Sequence, residues 1–308
     1  LNQTAPQIQL LNRTDREIHA LDQLVSTAFG YRETHRFLQD FPIWKSDEVL
    51  RYGVFESQKL VSHVGLRVVE YQLNGRQKGS TENLKLGLIG AVATELHSRG
   101  RGLSTQLLQH LIQQSETSLQ LDWLILWGSE HEFYQKLGFT LDGVQWRIPL
   151  DRLLIEPKKI SGALSPQQGY TPKIFDWLLR QVRRSGIAWK ESDRAWFEAH
   201  QTIDWHWSET PFAFAGLGRG MDLQHLVHEV GGDTTALSFL LRRIHQLDPQ
   251  AELLTHPIET RTMPLSGLIT PQTPVIEEKL CLSRPVSARA RASGSVGTNF
   301  WISGLQAC

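Results

Sequence analysis

Arginine and glycine alternate from Arg99 to Gly102, with Leu103 and Ser104 next, just where apolar residues begin to repeat at helical spacing. That combination suits an anion. A helix N-terminus offers unpaired backbone N–H groups and the positive end of its dipole. Gly100 and Gly102 would allow positive φ and let a phosphate approach the main chain, while Arg99 and Arg101 add charge. The Ser104 hydroxyl could cap the helix or touch a phosphate. A dinucleotide site would want a third glycine near Thr105; that position fails, although Asp122 stands near the spacing of the ribose-binding acid. A P-loop would end in GK[ST], which is absent. Taken alone, the two-glycine loop is a weak signal that reads first as a plain tight turn and only second as a phosphate cradle.

Other chemistry-bearing residues are scattered. "IDWHWSET" places Asp204, Trp205, His206 and Glu209 close together, a set able to hold a cationic amine or to pack as aromatic core. His225 and Glu229 fall on one face of an expected strand and His228 on the other, so no metal site is expected.

The elements that must position the loop follow from patterning. "QIQLLN" alternates as a strand, and Thr14 caps a helix with Ile18, Leu21, Leu24 and Val25 on one face and Gly30 as its stop. A helical patch over residues 35–50 comes next. Three strand-like runs then end at "GAVATE", with Asn74-Gly75 as a hairpin turn between the last two. After the loop come a helix with Leu107, Leu108, Leu111 and Ile112 inward, the strand "LDWLILWG", the short helix "EHEFYQKLG" and the strand "VQWRIPL". A Pro- and Gly-bearing connector starts near Asp151. The element order then repeats: "TPKIFDWLLRQVRRSG" and "KESDRAWFEAHQTI" as helices, "PFAFAGLG" and "MDLQHLVHEVGG" as strands, "TTALSFLLRRIHQL" as a helix and "AELLTHP" as a strand. This predicts a structural duplication, with domains at 1–150 and 151–308.

Composition bounds the function. The 308 residues suffice for two domains of roughly 150. Lysine plus arginine and aspartate plus glutamate number 32 each, so no global field draws nucleic acid or an acidic membrane. One "RGRG" without repeats or a basic face is a poor RNA-binding segment. Cys281 and Cys308 build no disulfide framework or metal site, and no run nears the ~18 apolar residues of a membrane span. The expectation is a cytoplasmic protein without metal; a homo-oligomer is left open. Five tryptophans, Trp177, Trp189, Trp196, Trp205 and Trp207, lie within one short segment as either a core or a pocket wall.

The run "AVATELHSRGRGLSTQLL", followed about thirty residues later by "EFYQKLGF", resembles the motif pair of the GNAT superfamily of N-acyltransferases, and the repeated second half resembles its tandem, Eis-like branch. The likeness covers roughly residues 7–150. It implies an α/β (α+β) fold class: two tandem GNAT folds, each a mixed, mostly antiparallel twisted sheet flanked by helices. It also implies an N-acetyltransferase of the acyltransferase class, with acetyl-CoA (coenzyme A) as co-substrate and a small-molecule or peptide amine as acceptor. Val92, Ala93 and Thr94 would orient the pantetheine arm through their backbone N–H groups, and Arg99, Gly100, Arg101, Gly102, Leu103 and Ser104 would hold the pyrophosphate. Tyr134 would protonate the departing thiolate, with a helix-packed aromatic as its plainer role. Ser129 would assist Tyr134 or cap the helix. No acid lies between Lys85 and Thr94, so the resemblance points to the terminal carboxylate of Cys308 as base, with a frayed tail as the alternative. Asp204, Trp205 and Glu209 would meet the substrate, the second half walling its cleft. His97 replaces the usual glutamine or arginine. In the second half "HEVGGDTTAL" puts Asp233 where the arginines stand, which repels phosphate. The rival from another class is a GNAT-fold module that binds acetyl-CoA or a ligand without turnover.

Overall fold

The computed structural model describes residues 7–31, 36–74, 81–153, 166–180, 186–257, 264–297 and 300–307. The chain divides into two units. One holds the residues up to Asp142 together with Cys281–Gly297, the other Gly143–Leu280 and the segment that ends at Ala307.

The first unit runs β1 (Ile8–Leu10), α1 (Asp15–Ala28), α2 (Phe37–Asp40), β2 (Val49–Glu56), β3 (Lys59–Asn74), β4 (Thr81–Thr94), α3 (Leu103–Thr117), β5 (Trp123–Leu126), α4 (His131–Gln135) and β6 (Thr140–Asp142). The second contains β7 (Gln145–Pro149), β8 (Gln167–Gln168), α5 (Pro172–Arg180), α6 (Arg194–Glu198), β9 (Asp204–Glu209), β10 (Phe212–Arg219), β11 (Asp222–Gly232), α7 (Thr234–Leu247), β12 (Glu252–Thr255) and β13 (Ile276–Glu278). The chain then returns to the first unit with β14 (Cys281–Pro285) and α8 (Ala288–Ser293).

Among the described residues each unit has a seven-stranded mixed sheet, ordered β1-β2-β3-β4-β5-β14-β6 and β13-β7-β12-β11-β10-β9-β8. Both contain an antiparallel meander, a helix, and then a strand parallel to the last of the meander: β2-β3-β4-α3-β5 in one, β9-β10-β11-α7-β12 in the other. The two mixed, helix-flanked sheets are the predicted fold class.

Local sequence explains the elements. Glu17 N donates to Thr14 Oγ1 at 3.3 Å, so the predicted cap starts α1, and Gly30 leaves the helix at φ +72°. Leu107, Leu108, Leu111 and Ile112 of α3 are buried against Val64, Leu66, Ile89 and Leu124 of the sheet. The second unit repeats this with Leu237, Leu240, Leu241 and Ile244 of α7.

Several expectations are corrected. The 35–50 patch is one turn of α2 and a 3-10 turn at Pro42–Lys45; Pro42 lacks an N–H and pushes Phe41 out of the helical region, to φ −131° and ψ 64°. "KESDRAWFEAHQTI" is helical only to Glu198, and Asp204–Glu209 is a strand. The strand expected to finish the first half, Gln145–Pro149, belongs to the second sheet, where it pairs with β12 and β13. Its expected place is taken by β14, inserted between β5 and β6. Two carboxylates, the buried Asp142 and the half-buried Asp122, bind that returning segment. Asp142 accepts from Ser283 Oγ at 2.7 Å, Ser295 Oγ at 2.6 Å and Val296 N at 2.8 Å. Asp122 accepts from Lys85 N and Ser287 Oγ, both at 2.9 Å, so it is a structural clamp unrelated to any ribose. Against the frayed-tail alternative, residues 300–307 are largely buried: Arg219 Nη1 donates to the carbonyls of Gly304 at 2.6 Å and Ala307 at 3.0 Å. Gly75 and the connector from 154 to 165 lie outside the described residues, although β3 and β4 pair antiparallel as far as Asn74 and Thr81.

Candidate active site

The site is built where β4 leaves its neighbours. β4 pairs parallel with β5 only as far as Ile89 opposite Leu126. Against β3 its register slips, with Gly65 opposite Gly90 but His63 opposite Ala93, so Val64 faces both Ala91 and Val92. This is a β-bulge, and Ala91 within it has φ +52°, unusual for a residue with a side chain. Val92 thus shares Val64 with Ala91 instead of having a β3 partner of its own, and has no β5 residue opposite it. Beside the bulge the His63 ring is fully buried and its Nδ1 lies 2.8 Å from Ala91 O. Burial, with Arg51 adding repulsion, pulls its pKa down to about 4, so the ring is neutral and Nδ1–H donates.

The end of β4 is fastened to the start of α3 through hydroxyls. Ser62 Oγ lies 2.7 Å from Thr94 Oγ1, which lies 2.6 Å from Ser104 Oγ. Ser104 is therefore engaged with the strand, and the helix N-cap is Gly102, without a side-chain cap. The first turn of α3 carries no acid. Leu103 is buried in the core, so only its backbone can serve a ligand. Gly100 and Gly102 have φ of +76° and +75°, and a Cβ on either would meet nothing closer than Gln106 Nε2 at 3.9 Å. Packing does not demand these glycines; the backbone turn does, and the space where their side chains would stand is open.

The charges on the loop are partly occupied. Arg99 Nε donates to Thr94 O at 3.1 Å. Arg101 donates to both carboxylate oxygens of Glu56 at 3.0 and 2.6 Å, and that bond holds the Glu56 pKa below its ordinary value. Glu95 is paired with Lys59. His97 is exposed in the 3-10 turn Leu96–Ser98, of which Ser98 is buried. The matching turn of the second unit is filled: a Cβ at Gly231 would come within 2.3 Å of Phe214, one at Gly232 within 2.2 Å of Phe212 O, and Asp233 caps α7 by accepting from Ala236 N at 2.9 Å.

Tyr134 on α4 fills the plainer of its two expected roles, a packed aromatic ring. Its ring packs edge-on to Phe133 at 5.0 Å and Phe139 at 6.1 Å within the core. A Cβ on Gly128, just past β5, would stand 3.6 Å from its hydroxyl oxygen. Burial, then the charge of Glu130, push its pKa up to about 12, which keeps the hydroxyl a donor at neutral pH. Ser129 is exposed and does not cap α4 through its side chain; its carbonyl accepts from His131 N at 2.8 Å.

The residues proposed to meet substrate are engaged within the second unit. Trp205 is 2 % exposed, packed on Phe197 at 5.8 Å and Phe214 at 6.1 Å, so it has no free face for a ligand. Of the five clustered tryptophans Trp196 and Trp205 are core, whereas Trp177, Trp189 and Trp207 are half-buried and Trp177 lines a cavity with Lys173, Glu209 and Phe212. Asp204 accepts from Gln168 Nε2 at 2.8 Å and lies 3.1 Å from His206 Nε2, and Glu209 pairs with Lys173. Cys308 lies outside the described residues. Among the described residues no three histidines, cysteines or acids gather as metal ligands. Sequence reading missed Ser62, His63 and Glu56, since nothing local marks a strand residue as the neighbour of a bulge on another strand.

Residues 10–141 match the sequence profile described as an acetyltransferase (GNAT) domain. This stretch of the chain is a GNAT acetyltransferase domain. No curated protein matches the chain in sequence. Solved structures resemble it over most of its length. A probable N-acyltransferase from Enterococcus faecalis has TM-score 0.63 and 15% identity, over 93% of this chain and 74% of that one. A GCN5-related N-acetyltransferase from Kribbella flavida has TM-score 0.60 and 17% identity, over 96% and 75%. Eis1 from Mycobacterium abscessus has TM-score 0.59 and 16% identity, over 94% and 76%. At these identities the likeness is one of fold, and it spans both units. The GNAT domain holds the bulge, the open glycine turn and Tyr134.

Proposed function

We propose that this chain is an acetyl-CoA-dependent N-acetyltransferase that moves an acetyl group to a primary amine by direct attack. One observation carries the reading: the turn before α3 has two positive-φ glycines facing open space, over a helix start with no acid of its own. Coenzyme A suits that turn. Its pyrophosphate would rest on the N–H groups of residues 100–104, with Arg99 and Arg101 adding charge. Its pantetheine arm would lie along Val92, Ala93 and Thr94, where β4 has parted from β5. The thioester carbonyl would accept from the Val92 N–H, in a geometry that stabilises negative charge as the neutral amine attacks. The departing sulfur would take its proton from the Tyr134 hydroxyl. The test is thiol release from acetyl-CoA across a panel of aminoglycosides, polyamines and peptides, with acetylated product identified by mass. Binding of acetyl-CoA with no amine ever acetylated would leave a ligand-binding module instead. Failure to bind acetyl-CoA would sink both readings.

A further inference from the structure

The β4 bulge depends on a side chain from the neighbouring strand. Ala91 holds φ +52° although it is not glycine, a conformation that persists only where the surroundings impose it. The group touching its carbonyl is the His63 imidazole, 2.8 Å away and fully buried. The other ring nitrogen, Nε2, has no hydrogen-bond partner. The ring therefore carries its proton on Nδ1 and spends that single donor on Ala91 O. The 91–92 peptide is trans, the one cis bond among the described residues being Thr210-Pro211. In a trans peptide the C=O and the following N–H point in opposite directions. Drawing Ala91 C=O toward His63 thus turns the Val92 N–H away from β3, toward the side where β4 has lost β5.

We infer that His63 is a positioning residue for acetyl transfer: its Nδ1–H fixes the Ala91 carbonyl and thereby aims the Val92 N–H at the thioester oxygen. His63 itself touches neither substrate. It acts through one peptide plane, and a displaced oxyanion donor costs turnover while leaving the pyrophosphate turn intact.

This inference rests on the acetyl-transfer reading, and the experiment separates the two. His63→Asn keeps an amide N–H near the Nδ1 position; His63→Gln moves it to the Nε2 position; His63→Leu removes it. Each variant is assayed for thiol release and for coenzyme A binding by calorimetry, with folding checked by its thermal transition. Expected are a kcat within about threefold of wild type for His63→Asn and a loss of about 10- to 100-fold for His63→Gln and His63→Leu, with coenzyme A Kd unchanged throughout. If His63→Leu does not fold, the Asn and Gln pair decides. Equal kcat for Asn and Gln, or losses that follow coenzyme A affinity, would overturn the inference while the transferase reading stood. Wild-type protein that binds no acetyl-CoA overturns both.

Discussion

Alanine at Gly100 or Gly102 separates backbone strain from ligand contact. Both sites sit near φ +75° with no neighbour a methyl would strike. Gly294, which closes α8 in the same unit, is equivalent, with φ +71° and nothing within 4 Å. An alanine in the left-handed region costs about 1–2 kcal/mol. Stiffening the unfolded chain returns about 0.4–1 kcal/mol. All three substitutions should therefore destabilise by a similar net amount, about 1 kcal/mol, or about 2–4 °C in melting temperature for a unit of this size. Only Gly100→Ala and Gly102→Ala add a methyl above the N–H groups proposed to hold pyrophosphate. Displacing that group should weaken coenzyme A binding at least about tenfold, which is 1.4 kcal/mol. Gly294→Ala should leave binding untouched. Calorimetric titration of coenzyme A into the four proteins, with melting curves alongside, checks this. If the two loop variants bind as tightly as wild type, or Gly294→Ala weakens binding equally, the glycine turn is structural and the reasoning fails.

Three further outcomes are expected. Tyr134→Phe keeps the ring packing and removes a hydroxyl that makes no hydrogen bond among the described residues, so stability should stay within about 0.5 kcal/mol while thiol release falls about 100-fold or more; an unchanged kcat would remove Tyr134 as the acid. Trp205→Ala, in the aromatic core, should cost about 3–5 kcal/mol without a selective rise in amine KM for the protein that stays folded; a stable variant with raised KM would restore Trp205 as a substrate contact. His63 and His228 are buried neutral with pKa values pulled down to about 4 from 6.5, so between those values the unfolded chain binds protons that the folded one does not. Stability should be full above pH 6.5 and fall as pH drops toward 4, by about 1.4 kcal/mol per pH unit for each histidine; urea titrations at pH 7, 6 and 5 that show no loss would contradict this.

What the sequence determined by itself is local. The Thr14 cap, the apolar stripe of α3 and the arginine-glycine turn each depend on residues within a few positions, so their patterns announce them. The repeated element order was legible for the same reason. Strand membership was not. "VQWRIPL" reads as a strand in either sheet, and only its ladder with β12 and β13 decides that it belongs to the second. The place it was expected to fill goes to β14, from the far end of the chain, because Asp142 and Asp122 bind that segment's hydroxyls and backbone. Trp205 reads in the sequence first as packing and second as an amine cradle, and burial against Phe197 and Phe214 decides for packing. At the site the same division holds. The glycines and Tyr134 were readable from their motifs, whereas the bulge at Ala91 and its bond to His63 were not. Strand register depends on pairing between distant segments, and a one-residue slip redirects a peptide plane without changing the composition of either strand. The positions able to bind a phosphate are thus written along the chain, while the direction in which the Val92 N–H points is fixed only once β3 lies against β4.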